Sequence, residues 1–212
     1  MHQPRIQSPL QDHPGATPHP ASHSEADCLL SDWSQRPRVG FRGADTPATL
    51  AGQGWQLPEQ PNEAQSQADG SLLLRLSAKE FMLLAASQRS ADVINQLEQD
   101  WEQSSCRHYL LPRMDSHAWF HLQGPALPQL LAKLCAIDLR PTQFPPGQLV
   151  QTSVARNNAI LVNSSTDQPT FELLCDRATA RYMWDVLLDA MAEFDGQVMA
   201  ADTDLANQGN TD

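Results

Sequence analysis

The stretch FELLCDRATARYMWDVLLDAM, residues 171–191, predicts a short strand followed by the clearest helix of the sequence. The residues before Asp176 form an apolar run of strand length, and Asp176 itself is a favoured N-cap residue. Gly196 lies just past the last turn, where glycine commonly ends a helix. One face of the predicted helix is apolar and consists of Met183, Val186, Leu187, Ala190, Met191 and Phe194.

Upstream of this stretch, strand-like segments occur in pairs, and helical patterns lie between the pairs. Strands are predicted within residues 39–43, 72–76, 81–85, 106–111, 118–122, 149–155 and 159–162. Helices are predicted after Asp45, Ser90 and Pro125, and residues 52–70 are expected to be an irregular connection. Because helices do not alternate regularly with strands, the sequence predicts an α+β fold with a largely antiparallel sheet and packed helices, in a ferredoxin-like arrangement.

The two ends of the 212-residue chain differ in composition from its middle. Residues 1–28 contain five of the sixteen prolines and four of the seven histidines, but few large apolar side chains. These histidines are His2, His13, His19 and His23. We expect a disordered tail there, with its irregularly spaced histidines solvated rather than bound to a metal. Residues 200–212 are polar and acidic and are expected to form a second disordered tail, which leaves residues 38–199 as one folded domain.

Composition disfavours several classes of protein. The formal net charge is -11, whereas binding to nucleic acid or to anionic lipid requires an excess of cationic side chains. The densest apolar run, residues 81–86, is far shorter than the roughly 20 residues of a membrane-spanning helix. The first 20 residues contain no apolar run of the kind found in a secretory signal. The chain is therefore expected to be cytoplasmic, with neither nucleic acid nor membrane as a partner.

The spacing of the cysteines is also consistent with a cytoplasmic protein. All four are far apart in the sequence, and no two form a CxxC pair: Cys28, Cys106, Cys135 and Cys175. We interpret them as reduced, mostly buried thiols.

The apolar surface of the last helix is wider than one core requires. Trp184 and Leu188 extend the apolar arc to roughly 200° of the helical wheel, more than the stripe that a single core usually covers. Two interpretations remain open: Trp184 is simply large and half-buried, or the edge formed by Trp184 and Leu188 contacts a partner. We assign these two residues to a candidate partner interface.

The sequence contains no strong catalytic motif. Gly52-Gln53-Gly54 is only a fragment of a dinucleotide-binding fingerprint, and no nucleophile elbow or P-loop is present. His117 and His121 lie on or next to a predicted strand, where positions four apart are separated by about 13 Å, so we predict no shared metal site. Asp115-Ser116-His117 has the residue types of a hydrolytic triad, but neighbours in one turn rarely meet in the required geometry. No catalytic residue and no metal ligand is assigned.

Asp138 is the carboxylate that the sequence singles out for a possible role in ligand binding. We place it at the end of an apolar helix, where a negative charge meets the negative end of the helix dipole. An unfavourably placed charge can mark a functional site. Arg140, two residues later, offers the structural alternative of a simple ion pair.

Several ordered motifs in residues 38–196 resemble one known family. They are LQGP (122–125), LCAIDLRP (134–141), FPPG (144–147), QTSVAR (151–156) and FELLCDRATARYMW (171–184), with LPEQPN (57–62) and LSAKEFMLL (76–84) upstream. In this order they are similar to the gamma subunit of heterotetrameric sarcosine oxidase.

The resemblance implies a place in a flavin-dependent oxidoreductase complex with alpha, beta, gamma and delta chains. Such a complex oxidises sarcosine to glycine, releases hydrogen peroxide and passes the one-carbon unit to tetrahydrofolate. The resemblance assigns FAD, FMN, NAD and folate to the alpha and beta chains and zinc to the delta chain. This chain is therefore expected to be a non-catalytic structural subunit that binds no cofactor itself, and the complex is expected to be the enzyme.

The resemblance also implies the fold of the folate-binding domain of aminomethyltransferases. Those enzymes carry a catalytic Asp, preceded by Asn, at the position that corresponds to Asp138, which makes Asp138 the folate candidate of this chain. Here the preceding residue is Ile137. A stand-alone, folate-binding protein of the aminomethyltransferase type is the alternative function.

Overall fold

The computed structural model describes residues 7–18, 26–86, 88–102 and 107–200. Its strands are β1 (Leu29–Asp32), β2 (Arg38–Gly43), β3 (Glu63–Ser66), β4 (Leu72–Arg75), β5 (Glu80–Leu84), β6 (His108–Pro112), β7 (His117–Gln123), β8 (Leu149–Val154), β9 (Asn157–Asn163), β10 (Thr170–Asp176) and β11 (Gln197–Met199). Its α-helices are α1 (Thr46–Gly52), α2 (Gln88–Glu102), α3 (Leu127–Ala132) and α4 (Ala180–Met191). Short 3-10 turns cover Pro14–Ala16, Arg177–Thr179 and Ala192–Phe194.

Backbone contacts divide the chain into two compact units rather than the single domain predicted for residues 38–199. One unit contains residues 36–114, and the other joins the segment before residue 36 to the segment from residue 115 onward. The division follows from strand pairing, because β1 pairs with β7 across the whole intervening segment. Periodicity along the chain cannot reveal such a pairing, since it reports only which face of a strand is apolar.

The unit that contains both ends of the described chain is built on a six-stranded sheet. The strand order is β11-β1-β7-β10-β9-β8, and β1 and β11 form the only parallel pair among the described strands. One apolar cluster contains the inward side chains of this sheet together with buried residues of α3 and α4, such as Leu127 and Leu187. Alternate residues of β10, Phe171 and Leu173, belong to this cluster.

The unit formed by residues 36–114 has a five-stranded antiparallel sheet in the order β3-β4-β5-β2-β6. Its apolar cluster contains Phe41 and Phe81 from the sheet, Leu50 from α1, and Ile94 and Trp101 from α2. The two sheets with a few packed helices confirm the predicted α+β class and its largely antiparallel pairing.

Most predicted elements are present, and the elements that the sequence does not predict are short strands. α1, β2, β4, β5, β7, β8, β9, β10 and α4 occupy the predicted segments, whereas α3 ends at Ala132, short of the predicted helix. The sequence gives no signal for β1, β3 and β11, which hold four, four and three residues. β3 has the polar sequence EAQS and lies inside the predicted irregular connection. Strands this short are held by backbone pairing to a neighbour, which leaves little trace in side-chain periodicity.

Both ends of α4 lie near the predicted signals, but Asp176 caps the turn before the helix rather than the helix itself. The Asp176 carboxylate accepts a hydrogen bond from the backbone N–H of Ala178 at 2.8 Å, but it caps the 3-10 turn that leads into α4. At the other end Asp195 takes the left-handed conformation with φ of 49°. Gly196 is required for packing, because a Cβ there would lie 2.6 Å from the Cβ of Met191.

The predicted disordered tails are only partly within the described residues. Residues 7–18 have a defined conformation with a 3-10 turn, and Leu10 is 2% exposed, in contrast to the disorder expected for that segment. This segment contacts α4, for example through the hydrogen bond from Nε1 of Trp184 to the backbone oxygen of Gly15. Residues 1–6, 19–25 and 201–212 lie outside the described residues.

Gly124 fixes the connection between β7 and α3. Its φ is 128°, and a Cβ at this position would lie 2.3 Å from the backbone oxygen of Asp27. We expect Gly124→Ala to lower the free energy of unfolding by about 3 kcal/mol, because it adds a backbone clash to conformational strain. Urea unfolding followed by circular dichroism measures the loss.

Gly54 provides the matched control for this substitution. Its φ is also positive, at 89°, but nothing lies within 4 Å of a Cβ built there. Gly54→Ala should therefore cost only the conformational term of about 1 kcal/mol. Equal losses in the two variants would show that the close approach to Asp27 is not what requires glycine.

Candidate functional site

A buried carboxylate lies at the centre of a polar cluster on the six-stranded sheet. Glu172 is 4% exposed and accepts three hydrogen bonds. The donors are the indole Nε1 of Trp119 at 2.6 Å, the Ser164 hydroxyl at 2.9 Å and Nδ1 of His121 at 2.8 Å. With three donors around it, the carboxylate is compensated for the loss of water.

Strand register brings these side chains together. β10 pairs antiparallel with β7 so that Glu172 lies directly opposite His121. Trp119 is two residues from His121 on the same strand, and its side chain therefore points to the same face of the sheet. Phe171 and Leu173, the neighbours of Glu172, point to the opposite face and into the apolar cluster.

Trp33 completes the cluster from the segment after β1. Its ring stacks on that of His121 with a centroid distance of 3.7 Å and an interplanar angle of 4°, and it meets Trp119 edge-on at 5.3 Å. The backbone N–H of Trp33 donates to the oxygen of Trp119 at 2.8 Å, while the N–H of Trp119 donates to the Ser34 hydroxyl at 3.1 Å. These contacts hold two indoles and an imidazole in one fixed arrangement.

The carboxylate of this cluster has its hydrogen-bonding capacity met by donors of the same chain. Nδ1 of His121 faces a carboxylate oxygen, which can only accept, so Nδ1 carries the proton. Glu172 already accepts hydrogen bonds from three donors, which fits an orienting and stabilising role.

The sequence predicts His121 as a partly exposed structural histidine. The structural role agrees with the geometry, but the side chain is buried. Glu172 was missed, although one charged residue within an apolar strand was the available signal.

His117 lies apart from this cluster, at the start of β7. Its Nδ1 is 2.8 Å from the Ser116 hydroxyl, so two of the three side chains of Asp115-Ser116-His117 are in contact. His117 and His121 share no metal-type arrangement: within the described ranges, no group of three or more His, Cys, Asp or Glu residues could hold a metal ion.

Asp138 forms an exposed ion pair with Arg140. The guanidinium Nε of Arg140 lies 2.9 and 3.1 Å from the two carboxylate oxygens, and Nη2 also donates to Oδ2. Hydrogen bonds from the Arg140 side chain, followed by the bond from the Arg140 backbone, lower the pKa of Asp138 below its usual value. Because α3 ends at Ala132, the placement of Asp138 at a helix end is wrong. Arg140 therefore holds both oxygens of this exposed carboxylate.

The candidate interface residues on α4 have different environments. Trp184 is fully buried within this chain, and its indole Nε1 donates to the backbone oxygen of Gly15 at 3.1 Å. The assignment of Trp184 to an exposed partner interface therefore needs correction, because residues of the same chain cover it. Leu188 is half-buried, and its Cδ1 lies 2.8 Å from the position of a Cβ built on Gly15.

Three of the four cysteines lie within the described residues, and all three are free thiols. Burial raises the pKa of both Cys28 and Cys175 to about 12, and it also raises the pKa of Cys135. These groups are therefore protonated and unreactive near neutral pH. Cys106 lies outside the described residues.

Among the described helices, none combines the length and the apolar composition needed to cross a bilayer.

Comparison with known proteins defines the class of the chain. The family model of the GCVT N-terminal domain matches residues 61–204. The chain therefore belongs to the GCVT N-terminal domain family. The aminomethyltransferase T of the glycine cleavage system from Bartonella henselae has the same fold, with a TM-score of 0.62 and 18% identity, over 84% of this chain and 49% of that one.

The more specific likeness is to sarcosine oxidase subunit gamma, which confirms the resemblance seen in the sequence. The gamma subunit from Arthrobacter is 26% identical over 81% of this chain and 84% of its own length. That from Corynebacterium strain U-96 is 26% identical over 72% of each chain. A chain of the heterotetrameric sarcosine oxidase from Corynebacterium U-96, solved with pyrrole 2-carboxylate, matches with a TM-score of 0.70 and 25% identity, covering 89% of this chain and 96% of that one.

The buried network makes Glu172 a sensitive position. Glu172→Gln would place an amide NH₂ where a donor already points, while it also removes the charge that strengthens three hydrogen bonds. We expect the free energy of unfolding to fall by about 2–3 kcal/mol. Glu193→Gln is the control, because the Glu193 side chain is 60% exposed and its pair with Lys133 should contribute less than about 1 kcal/mol. Similar losses in both variants would contradict the network.

The ion pair at Asp138 has a measurable titration. In Arg140→Gln the hydrogen bonds that lower the pKa of Asp138 are lost, so its titration midpoint should move up towards the usual aspartate value. A carboxyl whose pKa is lowered on folding adds stability above its unfolded pKa and loses that contribution as the pH falls through the folded pKa. Because the pair is exposed, stability should barely change. Carboxyl NMR titration checks this, and an unchanged midpoint would refute the assigned cause.

Proposed function

We propose that this chain is the gamma subunit of a heterotetrameric sarcosine oxidase and that it contributes contact surface rather than chemistry to the complex. The observation that supports this best is the likeness to a chain of the Corynebacterium U-96 enzyme, which extends over 96% of that chain. The sequences of the gamma subunits from Corynebacterium U-96 and from Arthrobacter match most of this chain as well. A likeness over nearly the whole length favours a shared role more than a shared local motif would.

The contacts of two carboxylates support a non-catalytic role. The buried Glu172 carboxylate is already bonded to three donors of its own chain. The exposed Asp138 carboxylate is paired with Arg140. A general acid or base needs a site where it can reach a substrate proton, and both of these carboxylates are engaged in internal contacts. They stabilise the local structure instead.

In this proposal the partners are the alpha, beta and delta subunits of the complex. The complex oxidatively demethylates sarcosine to glycine, transfers the one-carbon unit to tetrahydrofolate and releases hydrogen peroxide. FAD, FMN, NAD and folate are assigned to the alpha and beta chains and zinc to the delta chain. We place the complex in the cytoplasm, where the reduced thiols of Cys28 and Cys175 would persist.

The alternative of a stand-alone, folate-binding aminomethyltransferase has less support. Its folate candidate was Asp138, whose two oxygens are both bound by Arg140. The likeness to the Bartonella henselae aminomethyltransferase, at 18% identity, concerns the fold. We therefore assign no folate contact to this chain.

Co-expression with the three other subunits, with and without this chain, tests the proposed role. We expect omission to reduce the yield of a stable assembly of the other three subunits by about tenfold, because the contact surface of this chain is missing. Size-exclusion chromatography measures the assembly, and sarcosine-dependent peroxide formation measures the turnover. Unchanged assembly and turnover without this chain would reject the structural role.

A variant within the full complex distinguishes the proposed structural role from the folate-related alternative. Asp138→Asn should leave assembly and turnover unchanged if Asp138 only pairs with Arg140, and Asp167→Asn, in an exposed turn, serves as its control. A specific loss of one-carbon transfer in Asp138→Asn would favour the folate-related alternative.

A further inference from the structure

Residues 7–18 lie along one edge of α4, and we call this segment the N-terminal strap. The edge of α4 consists of Arg181, Trp184, Asp185 and Leu188, with Arg177 in the preceding 3-10 turn. Positions 177, 181, 184 and 188 are spaced three or four residues apart, so their side chains form one stripe along the helix. The strap approaches this stripe with its backbone.

Three backbone carbonyls of the strap accept hydrogen bonds from side chains of the stripe. The donor and acceptor pairs are Arg177 with Gln7, Arg181 with Pro9 at 3.1 Å, and Trp184 with Gly15 at 3.1 Å. The hydrogen bonds from Arg177 and Arg181 are exposed to solvent, whereas the one from Trp184 is partly buried. The order of the donors along the helix follows the order of the acceptors along the strap, so the strap has one direction and one register on α4.

Apolar contacts reinforce this register. Leu10 is 2% exposed and belongs to the same apolar cluster as Trp184, and Ala16 packs against that cluster. Gly15 allows the strap to approach closely, because a Cβ there would lie 2.8 Å from Cδ1 of Leu188. The burial of the Leu10 side chain stabilises the attached strap relative to a strap in which this side chain is exposed to solvent. The strap is therefore part of the core of its unit.

A polar contact at His13 completes the attachment. Its Nδ1 accepts from the backbone N–H of Gly15 at 3.2 Å, and its Nε2 lies 3.1 Å from the Asp185 carboxylate. A ring that accepts at Nδ1 carries its proton on Nε2 and can donate it to the carboxylate while neutral. The contact therefore does not require a charged histidine.

We propose that the N-terminal strap is a built-in occupant of this edge of α4 and closes the edge to other chains. The wide apolar arc of α4 thus has its second covering surface within the same polypeptide. A partner chain that docks here would have to displace a buried leucine and three backbone hydrogen bonds. Docking in an assembly therefore uses a different surface of the chain. The inference concerns the chain itself and does not depend on the identity of its partners.

Hydrogen exchange followed by mass spectrometry on the full-length chain tests this proposal. We expect the strap to be protected in the native chain. In Leu10→Ser, exchange in the strap should rise by at least about tenfold, because the loss of an apolar side chain buried to this extent exceeds roughly 1.4 kcal/mol. Gln11→Ser is the control, since Gln11 is exposed, and it should leave exchange unchanged.

A second variant keeps the test decisive if Leu10→Ser fails to fold. In Gly15→Val the added side chain meets Leu188, so the strap should again exchange faster. Gly52→Val, where a Cβ meets nothing within 4 Å, is the control that should not change it. A strap that exchanges at the rate of an unstructured peptide in the native chain, or variants that leave its exchange unchanged, would overturn the proposal.

The assembled complex provides the last measurement. The proposal requires the strap to stay protected when the chain is bound to its partners, with no new protection on the peptide that contains Trp184 and Leu188. If binding instead releases the strap and protects this edge of α4, the edge is a partner interface and the proposal is wrong. This outcome would leave the proposed subunit role intact, so the two failures can be told apart.

Discussion

The pairing of β7 with β1 on one side and β10 on the other is the constraint on which the rest of the structure depends. It joins two segments of sequence that are separated by a complete unit, residues 36–114. The same register sets Glu172 opposite His121 and thereby creates the buried network. A shift by one residue would turn Glu172 into the apolar cluster and Phe171 away from it, at a large cost in free energy.

Buried polar groups and close backbone contacts add specificity to this framework. A carboxylate with three donors stabilises one arrangement of Trp33, Trp119 and His121, because any other arrangement leaves a buried charge with fewer partners. At the junction of β7 and α3, the close approach of Gly124 to Asp27 has a similar effect on the backbone. These features fix the geometry of the unit, and the described carboxylates that form them are engaged within the chain.

The last helix shows how a surplus of apolar surface can be misread. The width of its apolar arc correctly indicates that Trp184 and Leu188 need a second covering surface. The covering surface is residues 7–18 of the same chain, through contacts such as that between Trp184 and Gly15. An apolar stripe on a helix therefore does not by itself locate the face that meets a partner.

The sequence by itself determined most of the longer elements and the resemblance to a family. Apolar periodicity and capping residues located α1, α4 and most strands, since each of these signals acts over only a few neighbouring residues. The ordered motifs of residues 38–196 identified the resemblance to gamma subunits, which the comparisons confirm.

The tertiary structure alone decided which surfaces meet. It ordered residues 7–18, paired the short strands β1, β3 and β11, divided the chain into two units, and set Glu172 beside His121. It also placed Asp138 beyond the end of α3 and against Arg140. Each of these outcomes depends on contacts between residues distant in sequence or on the exact end of a helix. Local patterns carry no information about such contacts, because they record how polar a residue is but not which surface covers it.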